Sequence, residues 1–263
     1  DLLQEDLRDR FGRDIVDDQF AELTAGLGYR LTTFNGWLDV TGRGFLTAQQ
    51  FADIKGLGHV GGGAEFGLEG RLTNSALPPF YRVLIRVKGE DYGFKQRDST
   101  VYTGNLQVGT NLGPRATVAI GGEYRDRQAR SDVFDLQEWS AFLDAGFEVA
   151  PTWRLSARAT YTDGDVWSTI RAVLPDGEAV DDIFDLIAAS DVIQRDDAFN
   201  DAFDGTWFVY RLPATTGKYS LSLTKSIGER FSVGLEWLEI RVKAKRDNDY
   251  DNRLLQLSLD VKF

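Results

Sequence analysis

Residues Asn252–Phe263 read NRLLQLSLDVKF. Leu255, Leu257, Leu259, Val261 and Phe263 fall on one side of an extended chain, while Gln256, Ser258, Asp260 and Lys262 fall on the other. Successive side chains of a strand point to opposite faces, so this strand separates an apolar from a polar environment. The same period of two recurs upstream. Leu23, Ala25, Leu27, Tyr29 and Leu31 form one such set, Tyr81, Val83, Ile85 and Val87 another, and Ala141, Leu143, Ala145 and Phe147 a third. No run of about eighteen apolar residues occurs, which excludes a transmembrane helix but not strands that show lipid every second side chain. The mean hydropathy of -0.30 fits such averaging.

The closing strand alternates up to its last residue and ends on Phe263. In this it resembles the carboxy-terminal sorting signal of Gram-negative outer-membrane β-barrel proteins. The resemblance extends over about residues 59–263, with no subfamily motif. It implies an outer-membrane location after removal of a signal peptide. It also implies contact with the lipid bilayer and lipopolysaccharide, insertion by the outer-membrane assembly machinery and, in some cases, another envelope protein as partner.

The fold class expected is all-β: a transmembrane antiparallel β-barrel of about ten strands, with short periplasmic turns and longer extracellular loops. Twelve strands is the alternative, if Trp207–Leu212 and part of the N-terminal region pair separately. Residues 22–263 form the barrel. Residues 1–21 form a periplasmic or plug segment, in which Leu3, Leu7 and Phe11 have helical spacing. Residues 34–58 read as a connection holding an Asn35-Gly36 turn and a short helix from Thr47 to Gly56. Tight turns are expected at Gly113-Pro114, Pro151-Thr152 and Gly228-Glu229, with longer connections near 90–99, 127–135, 167–216 and 245–251. Tyr29, Tyr102, Tyr124, Trp139, Tyr161, Tyr219 and Trp237 lie toward one end of the outward face, and Tyr81, Phe147, Trp153, Phe231 and Phe263 toward the other. Two belts of amphipathic rings are what two headgroup layers select.

The opposite parity carries the charge. Folding the hairpins about their turns places Glu69 across from Arg82, Glu65 from Arg86, Asp144 from Arg158 and Glu148 from Arg154. The same operation sets Thr103 across from Glu123 and Ser220 from Glu236. Such pairs stabilise by about 0.2–1 kcal/mol each. The residues expected to line a pore are Glu65, Glu69, Arg82, Arg86, Glu123, Asp144, Glu148 and Arg158. Small residues between them, such as Gly63, Gly67 and Gly121, leave either a wet path or room for salt bridges to fill it. The insertion 167–216 is strongly acidic, and Val180, Ile183, Phe184 and Ile187 make a helical apolar stripe in it. It reads as a solvated surface loop, or as a gate or partner-binding surface.

The net charge of -11 argues against nucleic acid as a partner. The chain has no Cys, hence no disulfide and no thiolate metal site. His59 is the single histidine, and Gly58-His59-Val60-Gly61 brings no Ser or Asp beside it, so hydrolysis is the least favoured reading. Asp247, Asp249 and Asp251 alternate in a loop, but the Gly and distal Glu of an EF-type calcium loop are missing. No cofactor or metal is therefore expected. Two functions remain: a porin-like passive channel for small polar solutes, and a non-conducting barrel that anchors or binds another protein of the cell envelope.

Overall fold

The computed structural model describes residues 19–33, 37–73, 77–172, 192–203, 206–228, 230–244 and 250–261. The expected N-terminal helical segment, the Asn35-Gly36 turn, the stripe at 180–187, Asp247, Asp249 and the terminal Phe263 lie outside these residues. What is described is one antiparallel sheet. Its strands are β1 (Phe20–Thr33), β2 (Leu38–Phe51), β3 (His59–Arg71), β4 (Phe80–Tyr92), β5 (Ser99–Leu112) and β6 (Ala116–Ala129). They continue as β7 (Leu136–Ala150), β8 (Trp153–Ala172), β9 (Val192–Arg195), β10 (Thr206–Ile227), β11 (Phe231–Ala244) and β12 (Tyr250–Val261). One short helix, α1 (Asp197–Ala202), follows β9.

Each strand pairs with the next in sequence, except that β8 pairs with β10 and β9 lies off the path on β10. The sheet has twelve strands and curls into a half-barrel, with β1 and β12 as its edges. Eleven strands lie on the path, and every step along it is antiparallel. Consequently β1 and β12 run in the same direction. Phe20 lies beside Phe51 on one rim and Val261 beside Phe231 on the other, so the described chain starts and ends on opposite rims. An even number of strands on the path, as in the ten expected, would have brought both ends to the same rim.

The reason is β2. The connection expected over 34–58, with its short helix, is instead a fourteen-residue strand, leaving only a 3-10 turn at Lys55–Leu57. Its alternation is blurred because Gly42 and Gly44 occupy outward positions opposite Tyr29 and Leu27, while Phe45 lies on the charged face opposite Gly26. Glycine contributes nothing to a hydropathy pattern, and an inward Phe inverts it.

The outward face is apolar and uncovered. Leu27 is 87% exposed, Leu257 75%, Trp139 67% and Ile120 62%. In a water-soluble sandwich these positions would pack on a second sheet about 10 Å away, and among the described residues there is none. The buried hydrophobic cluster sits elsewhere, at one end of the sheet: Val133, Phe134 and Val209, with Ala129, Trp167 and Val192 against it.

Turns set the register. Gly113 and Gly228 adopt φ of 77° and 66°, the left-handed region open to glycine. Leu112 pairs with Ala116 and Ile227 with Phe231, so each loop spans three residues centred one position later than expected. Thr103 therefore lies opposite Arg125 rather than Glu123, and Ser220 opposite Leu238 rather than Glu236. Centring on Gly113 would have required Leu112 to pair with Pro114, across a one-residue loop and onto a residue without an N–H. The displacement is two residues, so every side chain keeps its face.

Candidate functional site, the inner wall and its outer cap

The inward parity of β3 to β8 builds a connected polar surface. Glu65 and Arg86 face each other in register and pair through Nε at 2.8 Å. Glu69 takes two hydrogen bonds from Arg82, at 3.0 and 2.8 Å. Arg82 also reaches Gln107 at 3.4 Å, Gln107 donates to Asp144 at 3.0 Å, and Asp144 pairs with Arg158 at 3.5 Å. This chain of contacts runs from β3 to β8 and passes over β6, where Ala119 and Gly121 leave the space. A Cβ on Gly121 would lie 2.3 Å from the Phe142 ring and 2.5 Å from the Leu106 carbonyl oxygen. Arg158 stacks on Phe142 at 4.0 Å, and Arg43 and Arg86 flank Phe45 at 5.9 and 5.7 Å.

Other residues expected on this wall pair differently. Glu123 accepts from Asn105 at 3.2 Å rather than facing Thr103. Glu148 lies opposite Arg154 in register but beside a bulge, and the Arg154 guanidinium lies over Gly146, within 2.6 Å of where a Cβ would stand. The pairing becomes irregular immediately beyond it, between Glu148 and Ala150.

At the outer end of the wall lies a cluster absent from the expected set. Glu90 is flanked by Lys88 at 2.9 Å, Arg127 at 3.5 Å and His59 at 3.9 Å, and takes hydrogen bonds from Tyr92 and Ser99, both at 3.1 Å. His59 stacks on Tyr92 with centroids 4.8 Å apart. Ser99 donates to the carboxylate rather than to the imidazole, so the nucleophile-to-base contact of a hydrolytic triad is not made here.

Over this cluster the connections of one rim fold into a cap. Each of the hairpins after β2, β4 and β6 carries a 3-10 turn, at Lys55–Leu57, Lys95–Arg97 and Asp132–Phe134. In two of them an aspartate closes the hairpin mouth: Asp98 accepts from the Tyr92 amide at 3.0 Å and Asp135 from the Ala129 amide at 2.6 Å. The connections near 90–99 and 127–135 were expected to be among the longer ones. They are compact turns, and the connection 72–79 on the opposite rim is longer than either 93–98 or 130–135. The insertion supplies the rest. β8 and β10 run on past the last β11 pair, at Ala214–Ala244, and β9 and α1 pack against this extension.

Asp196 is the centre of the cap. It caps α1 by accepting from the Ala198 and Phe199 amides at 3.1 and 3.3 Å, takes a hydrogen bond from Thr169 at 3.2 Å, and pairs with Arg97 at 2.7 Å. The two side chains are 0% and 3% exposed. Arg97 in turn lies over Phe134 at 4.3 Å and Trp167 at 5.2 Å. Burial pushes its guanidinium below the ordinary value, against the opposing pull of Asp196. Ser131 bonds Gln194, Arg211 donates to the Asp132 and Asp135 carbonyls at 2.9 and 3.2 Å, and Arg127 on the inner wall donates to the Arg97 carbonyl at 3.2 Å. Ala198 of α1 abuts Gly56 on the β2–β3 turn. The cap thus spans the outer end of the inner wall from β10 to β3.

The sequence carried two signals for it. Asp196 directly before Asp197-Ala198-Phe199 is a helix N-cap pattern, and Pro213 and Gly164 mark where strands change surroundings. Nothing local announces that Arg97, about a hundred residues earlier, meets Asp196.

No protein-family model matches the chain, and no curated protein matches it. Among solved structures, the COG4313 outer membrane channel from Pseudomonas putida F1 is similar with a TM-score of 0.56 and 16% identity, over 93% of this chain and 84% of that one. The KdgM porin in complex with disordered oligogalacturonate aligns over 94% and 98% of the two chains at 9% identity and a TM-score of 0.46. The NanC porin aligns over 91% and 99% at 10% identity and a TM-score of 0.42. The likeness to the first of these is one of fold, an all-β antiparallel sheet curled as in that channel.

Proposed function

We propose that the protein is an integral outer-membrane β-barrel acting as a passive, porin-like channel for small polar solutes. One observation carries the reading: a single curled sheet exposes leucine, isoleucine and tryptophan on its convex side and arranges arginine–carboxylate pairs on its concave side. Lipid solvates the first surface and water the second. The outer surface then meets the bilayer and lipopolysaccharide, and the assembly machinery recognises the alternating last strand. Unpaired edges are untenable in hydrocarbon, so the β1 and β12 edges are joined in the membrane, directly or through one further strand. Glu65, Glu69, Arg82, Arg86, Glu123, Asp144, Glu148 and Arg158 supply the polar wall along which a solute moves.

Planar-bilayer recording tests the channel. Arg86→Glu removes the cation paired with Glu65 and adds a negative charge, so conductance persists while the reversal potential in a salt gradient moves toward cation selectivity. A conducting protein whose selectivity is indifferent to this change would contradict the assigned wall. The cap over the outer end favours a second reading, an occluded barrel that presents this surface to another envelope protein. Silence at all voltages from folded protein would select it.

A further inference from the structure

We propose that the convex face carries a binding site for a phosphorylated, acylated lipid of the outer leaflet, in chemical terms the lipid A part of lipopolysaccharide. An acyl chain lies in a groove that crosses β5–β10, and a phosphate sits on Arg241, Lys243 and Arg253. The inference rests on the membrane-barrel reading above and deepens it.

The groove follows from side-chain size. A depression of about 690 Å3 is lined by Leu106, Ile120, Gly122, Ala141, Ala159 and Tyr219 with their neighbours. Its floor lies where small residues stand on adjacent strands: Gly122 is opposite Ala141, and Ala159 pairs with Leu143 on one side and Tyr219 on the other. Leu106, Leu143 and Tyr161, each about half exposed, rise beside them. Small residues alone name no occupant, but the groups at the upper end of the groove do.

A single cross-strand row runs Leu106, Gly122, Ala141, Tyr161, Gly217, Arg241, each opposite the next. Its position against the outer ring of aromatic residues changes along the way. Leu106 lies four residues to the hydrocarbon side of Tyr102, Tyr161 belongs to the ring, and Arg241 lies four residues beyond Trp237. Strands of a membrane barrel tilt by about 35–45°, so a row at right angles to them climbs through the bilayer. From Gly122 to Arg241 are four strand spacings, about 19 Å, which is room for an acyl chain and the start of its headgroup.

The cations at the upper end are held in place. Arg241 donates from Nε and Nη2 to one oxygen of Glu239, at 2.9 and 2.8 Å, and lies over the Tyr219 ring at 5.9 Å. Tyr219 leans toward it across Gly217, where a Cβ would stand 3.4 Å from the phenol oxygen. The Glu239 side chain is 9% exposed and that of Arg241 58%, so the carboxylate fixes one edge of the guanidinium and leaves the other to the headgroup layer. Arg253 lies 4.0 Å from the same oxygen and is 71% exposed, and Lys243 is the next outward residue on β11. Asp251 stands opposite Arg241, so three cations meet two carboxylates on a chain whose net charge is -11. Beyond the aromatic ring on β4, β6 and β8 the outward residues include Asp91, Asp126, Asp163 and Asp165, which repel phosphate. The arginine fork matches phosphate oxygens in shape as well as charge.

The test titrates the full chain, folded in detergent micelles, with bisphosphorylated lipid A and with the same lipid stripped of phosphate, and reads binding by native mass spectrometry. Wild type should hold the phosphorylated form about tenfold or more tightly, the scale of a charge-assisted hydrogen bond. Arg241→Ala combined with Arg253→Ala should erase that preference. Ala141→Phe, which fills the groove, should weaken the binding of both lipids, and inorganic phosphate, which has no chains, should not compete. Equal affinity of wild type for the two lipids, unchanged binding in either variant, or displacement by inorganic phosphate overturns the site and leaves the barrel standing. Protein that stays monodisperse without detergent removes the membrane reading and the site together. If the double variant does not fold, the two lipids on wild type and the Ala141→Phe protein decide.

Discussion

At the scale of single residues, the wall depends on where side chains are small. Gly121 lets Phe142 and the Leu106 backbone close over β6, and it is this closeness that brings Gln107 within 3.0 Å of Asp144. A Cβ there meets backbone, which cannot rotate away. Gly121→Val should therefore lower stability by about 1–3 kcal/mol, the usual result of overpacking a tight contact, and displace Phe142 from Arg158. Reversible urea unfolding in detergent–lipid micelles measures the first, and an unchanged midpoint would mean that β6 yields without cost. Opposite-charge partners at Glu65–Arg86, Glu69–Arg82 and Asp144–Arg158 were readable from sequence because they sit symmetrically about their turns. Glu148 was likewise read correctly across from Arg154, but the one-residue irregularity between Glu148 and Ala150 was not, because it is invisible to a period of two.

At the scale of elements, outward and inward positions of one strand obey different chemistry. Leu143 and Asp144 are neighbours on β7: the leucine is about half exposed on the convex face, and the carboxylate is tied to Gln107 and Arg158. Leu143→Arg should cost about 2–4 kcal/mol in a bilayer, where arginine near the midplane of a barrel's lipid face is poorly solvated. Arginine at Ser156, inward on β8, should cost far less. Unfolding from vesicles distinguishes them, and equal costs would show that the two faces see the same solvent. The misreading of 34–58 belongs to this scale. An element with glycine at the successive outward positions 42 and 44 and Phe45 inward between its other alternating residues has an interrupted amphipathic signature. It becomes a strand because β1 and β3 offer complementary edges on both sides.

For the whole molecule, the antiparallel order makes β1 and β12 run the same way, and closure of the ring is measurable. Cysteines scanned along the outward positions of β1 and β12 should be bridged in membranes. Direct disulfides indicate that the two edges pair, strands in a sheet lying about 4.8 Å apart. Bridging only by a linker of about 10 Å indicates one strand between them. No bridging at either length would leave two open edges in lipid and contradict the barrel.

The alternation of residues, their aromatic ends and the position of glycine turns determined that this chain forms an antiparallel sheet with one lipid-like and one polar face, because strand geometry alone assigns each side chain to a face. Those features lie within single hairpins. The number of strands on the path, the rim on which it begins, and the cap were decided only by tertiary structure. Each depends on partners far apart in the chain, Arg97 with Asp196 and Gly56 with Ala198 among them, and no local spacing encodes a meeting between residues that the folded sheet alone brings together.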